Sequence, residues 1–117
     1  MATKIQALEL YTKALTKLGI DPINEELLDK IVTALGIAAY RTDVDAAFVS
    51  ANDKAEKMLV VDKLLVKKFG FEPDPKLMEH VDAAIEVYGK SNPRKYRVVL
   101  YYLITVELKM ESVYLKD

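Results

Sequence analysis

The 117 residues include no cysteine and no tryptophan, one histidine, four glycines and four prolines. Without cysteine there is no disulfide framework, no thiol nucleophile and no zinc site of the cysteine type. This agrees with a reducing compartment. A single histidine, His80, has no second histidine nearby to complete a ligand set, and no serine-based motif to form a triad. The four glycines stand at segment ends, so no phosphate-cradling loop of the Walker or dinucleotide type is present. No Gly-x-Ser-x-Gly elbow or His-Glu-x-x-His motif occurs. The longest apolar run, Val98–Ile104, falls far short of the roughly 20 residues that span a bilayer. The first residues, Met1 to Gln6, lack the apolar core of a secretory signal. The expectation is a soluble cytoplasmic protein with no membrane association.

Charge is balanced. There are 17 Lys+Arg and 18 Asp+Glu, a formal net charge of -1. A strongly basic nucleic-acid binder would show a clear positive excess. At 51% apolar and 30% charged residues, the chain has the composition of a globular protein. Its length suits one domain, with a core large enough to stand without staples.

The spacing of apolar residues predicts an all-α single domain of about five short helices. Over residues 3–18, Ile5, Leu8, Tyr11, Leu15 and Leu18 fall on one helical face, and Gly19 stops the helix. A second helix opens at Asp21-Pro22-Ile23-Asn24, with Asp21 or Asn24 as its cap and Pro22 in its first turn. Leu27, Leu28, Ile31, Val32 and Leu35 form its apolar face, and Gly36 ends it. Residues 37–52 read as an irregular connection anchored by Tyr40, Phe48 and Val49. A third helix starts near Ser50, as cap, and runs to Phe69. Asp74 caps a fourth helix with Pro75 at its first position; it ends at Gly89. Ser91-Asn92-Pro93 repeats that grammar and starts a fifth helix, from Pro93 to about Lys109. Residues 96–106 are rich in strand-favouring types, but no strand candidate of comparable strength exists to pair with them. The fifth helix is therefore expected to be central, with the third against it. Val113, Tyr114 and Leu115 pack from the tail.

From Leu28 onward the chain resembles a bacterial family, domain of unknown function 2853. The likeness rests on Tyr40, Val49-Ser50-Ala51, Asp53-Lys54-Ala55-Glu56 and Val66-Lys67-Lys68-Phe69-Gly70. It is strongest over Lys95-Tyr96-Arg97-Val98-Val99-Leu100-Tyr101-Tyr102-Leu103, followed by Ser112-Val113-Tyr114. The resemblance implies a small, compact, mostly helical protein of bacterial type. It transfers no activity and no catalytic residue.

Four constellations carry possible chemistry. The third helix bears apolar side chains around most of its circumference, more than one core easily absorbs. Val60 and Leu64, rimmed by Lys63 and Lys67, make a candidate face for a protein partner or a homo-oligomer; the competing reading buries them in the core. Lys67, Lys68, Arg94 and Lys95 form a candidate basic patch beside Tyr96, Tyr101 and Tyr102, since cations and aromatic rings together suit nucleic acid. Residues 57–117 carry 11 Lys+Arg and 9 Asp+Glu, the first 56 carry 6 and 9, so the polarity is mild. On an α-helical wheel Asp62, Arg97 and Glu107 all fall on apolar arcs. Buried charge is costly unless paired, so Asp62 or Glu107 is expected to pair with Arg97, unless the fifth helix ends before Glu107. Finally, Glu79, Asp82 and Glu86 form an acidic stripe beside His80, on the face opposite Leu77, Val81 and Ile85. That is where solvated charge belongs, and no metal is expected. The leading expectation is a non-enzymatic interaction or regulatory protein that presents a helical surface to a protein partner or to itself, without a cofactor. The alternative is a weak nucleic-acid binder whose affinity falls steeply with salt.

Overall fold

The computed structural model describes residues 4–36, 48–50, 52–89 and 94–115. Among them, six helices surround one core, and two short strands form an antiparallel ribbon. The radius of gyration is 13.1 Å, in line with about 13 Å for a compact chain of 100 residues.

Helix α1 spans Lys4–Lys17 and buries Ala7, Tyr11 and Leu15, one residue per turn. Ile5, expected on this face, is instead 70% exposed. The helix closes with Gly19 at φ 84°. The Ile20 N–H donates to the Leu15 carbonyl at 3.2 Å and the Gly19 N–H to Thr16 at 3.0 Å. This paired closure needs a left-handed residue, which glycine adopts without a Cβ clash.

Helix α2 spans Glu25–Leu35 and buries Leu27, Leu28, Ile31 and Val32. Asn24 is the cap, its side chain accepting from Leu27 N–H at 3.0 Å. Pro22 follows a cis peptide bond in the preceding turn, outside the helix it was expected to start.

Strand β1, Phe48–Ser50, lies within the stretch read as irregular. It pairs with β2, Arg94–Tyr96, in the register Phe48↔Tyr96, Val49↔Lys95, Ser50↔Arg94. The strand-favouring character near Tyr96 therefore does find a partner, and the fifth long helix begins at Arg97 rather than Pro93. Val49 is fully buried, and the Phe48 ring stacks on Tyr96 with centroids 4.9 Å apart. Tyr40 and Ser91-Asn92-Pro93 lie outside the described residues.

Helix α3 has two parts, an α-helical Lys54–Val60 and a π-helical continuation Val61–Lys68. Its cap is Asp53, not Ser50, which is committed to the ribbon. The Asp53 carboxylate accepts from Ala55 N–H at 2.9 Å and Glu56 N–H at 3.3 Å. The π part ends with Phe69 N–H donating to Leu64, five residues back, at 2.9 Å. Helix α4, Met78–Tyr88, follows a 3-10 turn at Pro75–Leu77. Asp74 caps that turn, accepting from Lys76 N–H at 2.8 Å. This is the grammar the Asp-Pro pair predicts.

Helix α5, Arg97–Glu107, is the centre. Every residue from Val98 to Thr105 is buried, the mark of a helix surrounded on all sides. It packs chiefly on α2, α4 and α1. Helix α3 is expected against α5; its first part, Lys54–Val60, packs chiefly on α4 and β1. Thr105 stays satisfied by donating its hydroxyl to the Tyr101 carbonyl at 2.6 Å. The Tyr102 hydroxyl accepts from Asn24 N–H at 2.8 Å, tying α5 to the start of α2. Helix α6, Glu111–Leu115, packs on α2 and inserts Tyr114 beside Phe69.

Candidate functional site

Helix α3 presents two apolar sides. Val60, Val61, Leu64, Leu65 and Phe69 enter the core. Met58 and Leu59 remain 40% and 44% exposed. Beside them, α3 and the segment leading into α4 enclose a groove of about 640 Å³. Lys54, Met58, Val61, Asp62 and Val66 form one wall; Pro73, Asp74, Pro75 and Met78 form the other.

The local winding builds this groove. Hydrogen bonds in a π-helix close five residues apart, so Val61 and Val66 share a side and both line it. The two prolines fix the opposite wall, since their φ is set by the ring. One oxygen of Asp74 is engaged as a cap. Lys54 and Asp62 are exposed, and neither forms an ion pair with a described residue. Met58 and Met78 are both among its lining residues, and flexible thioethers adapt to varied apolar shapes. The size lies within the range of ordinary ligand pockets. Such a surface can bury apolar groups between charges of both signs. It contains no nucleophile with a neighbouring base.

The candidate residues are distributed differently from expectation. Val60 and Leu64 are fully buried in the monomer, which removes the face proposed around them. Lys63 and Lys67 are exposed on the same helix. Asp62 is exposed as well, not in the apolar arc. The wheel assumes 100° per residue, and π winding rotates Asp62 out of that arc. Glu107 is also exposed, at the last residue of α5.

Arg97 is the partly buried cation of the expected set, with its side chain 13% exposed. Its acidic neighbour is Glu56, at 3.6 Å, and it donates to the Phe48 carbonyl at 3.2 Å. Arg97 also bonds the Tyr101 hydroxyl, whose pKa is nevertheless raised, chiefly by burial. The guanidinium therefore joins α3, β1 and α5.

The basic patch is not a single surface. Lys95 is fully buried on β2. Its ammonium lies 5.3 Å from the Tyr88 ring centroid, and burial lowers its pKa. Alternation along the strand turns it inward opposite Val49. Lys68 sits over the Tyr114 ring at 4.7 Å. Lys67 is exposed, and the Arg94 side chain lies outside the described residues.

The tyrosines form a buried brace. Tyr11 meets Tyr96 edge-on at 5.3 Å, and the Tyr88 hydroxyl accepts from Tyr96 N–H at 3.2 Å. Burial pushes the Tyr11 and Tyr88 hydroxyls above the ordinary tyrosine range. In the acidic stripe, Asp82 pairs with Lys57 at 2.9 Å. Among the described residues, no three His, Asp or Glu side chains converge as a metal site. Nor is any described helix long and apolar enough to cross a membrane.

The groove went unrecognised in the sequence. Its one legible signal is the surplus apolar surface of the third helix, which includes Met58 and Leu59. The π winding that separates the two sides has no local signature.

The fold and the groove define a small, mostly helical protein with a two-stranded ribbon and an apolar surface cleft. Residues 10–112 match the family described as Protein of unknown function (DUF2853), and the chain belongs to that family. The match begins ahead of Leu28, so it takes in most of α1 and all of α2. No curated protein matches the chain.

Proposed function

We propose that the protein is a non-enzymatic interaction module whose working surface is the α3–α4 groove, and that it buries an apolar polypeptide segment there. The observation that carries this reading is the pairing of a 640 Å³ cleft with the exposed Met58 and Leu59 at its edge. Large apolar groups gathered beside a cleft are the usual mark of a partner site. Anchors in such a site supply most of the binding energy, and the charged rim sets orientation. The surface first expected to serve this role shifts by a fraction of a turn, from Val60 and Leu64 to Met58 and Leu59.

In-cell photo-crosslinking tests this. With p-benzoylphenylalanine in place of Leu59, discrete protein adducts are expected. The same probe in place of the exposed Lys30, on α2, should give few. Met58→Lys should suppress the Leu59 adducts while leaving the circular dichroism spectrum unchanged. Absence of adducts at Leu59, or adducts indifferent to Met58→Lys, would refute the reading.

A further inference from the structure

We infer that the occupant of the groove is a second copy of this chain, packed two-fold symmetrically with the α3 helices antiparallel and Met58 at the axis. The inference rests on the groove being a protein-binding surface and names its partner.

The first support is shape. A two-fold interface uses one patch on both subunits, so that patch must supply projection and recess together. Met58 and Leu59 project, and the recess bounded by Val61, Val66 and Met78 lies beside them. Each copy can therefore place its exposed pair against the other's groove.

The second support is charge. Lys54 and Asp62 stand four residues on either side of Met58, Lys54 about 6 Å back along the α-helical part at 1.5 Å per residue and Asp62 just inside the π part. Both line the groove. Antiparallel pairing about Met58 sets Lys54 of each copy opposite Asp62 of the other, twice per dimer. Pairing about any neighbouring residue would lose this match. A parallel arrangement in register would set like charges together. The pattern is thus self-complementary under one symmetry operation, which an unrelated peptide ligand would not require.

The test uses the intact chain. Sedimentation velocity over a concentration series should show a species of twice the 13.2 kDa chain mass. Lys54→Glu and Asp62→Lys each replace two attractions per dimer with two repulsions. Each should weaken the dimer about tenfold or more, a modest cost per exposed pair counted twice. The combined variant Lys54→Glu/Asp62→Lys should restore it. The chain has no native thiol, so Met58→Cys gives a single reporter. Mild oxidation should link two copies of it, because Cα atoms at a helix crossing approach within disulfide range.

A chain that stays monomeric at millimolar concentration would overturn the inference. So would a dimer indifferent to either charge reversal, or one the double variant fails to restore. Leu59 adducts to another protein, with a monomeric chain, would sink the dimer and leave the groove reading standing. Absence of any adduct would remove both.

Discussion

Asp53 caps α3 where Ser50 is expected to, and the bonds of the two residues explain the difference. Both residue types cap helices, but Ser50 pairs across the ribbon with Arg94, whereas Asp53 accepts two backbone N–H groups. Asp53→Ala should cost about 1 kcal/mol of stability, the usual worth of a cap. Ser50→Ala should change little. Urea unfolding of the two variants checks the difference. Caps were otherwise well legible: Asn24 and Asp74 act where an Asn or Asp stands before an apolar period. That chemistry is local, spanning two or three residues. The partners of Asp62, Arg97 and Lys95 were not legible, because they depend on where distant backbone lies. Arg97 meets Glu56 and the Phe48 carbonyl, and nothing in the spacing of either segment announces that meeting.

At the scale of elements, composition served helix α5 well and failed its first turn. Eight consecutive buried residues follow from a run too apolar to be exposed anywhere. The departure lies at Arg94–Tyr96, which pairs with a strand only three residues long. So short a strand leaves no alternation pattern to detect. Helix α3 shows the other limit. Its extent is correct, but its π stretch shifts every face after Val60. Hydrogen bonds in such a stretch are less favourable than in an α-helix, and one side of it borders the open groove. Hydrogen exchange should therefore release the amides of Val61–Lys68 well before those of Leu100–Ile104 in α5. Equal protection of the two segments would mean that the π stretch is as rigid as the core.

For the whole molecule, the buried hydroxyls set the alkaline limit. Tyr11, Tyr88, Tyr101 and Tyr114 all have their pKa raised, chiefly by burial. Unfolded tyrosine ionises near pH 10. Above that pH the unfolded state has lost protons that the native state keeps, so stability falls as pH rises. Below it the contribution is complete. Lys95 acts with the opposite sign: its lowered pKa means that its burial penalty is relieved as pH climbs towards the unfolded lysine value. Stability should therefore hold to about pH 10 and then drop. Tyr114→Phe should reduce the slope by about one proton, or about 1.4 kcal/mol per pH unit. Urea midpoints measured from pH 8 to 11 would show it, and an unchanged slope would mean that Tyr114 ionises as freely folded as unfolded.

The ribbon has a consequence for the order in which the molecule assembles. Its strands lie on either side of α3 and α4 in the chain, while each helix is closed by bonds between near neighbours. Helices form in about a microsecond or less, but a pairing between distant segments first bears the entropy of closing the loop between them. Arg97, which spans α3, β1 and α5, meets Glu56 and the Phe48 carbonyl only after that closure. The folding rate is thus expected to follow the ribbon, so that the smallest element governs the speed of an otherwise helical protein.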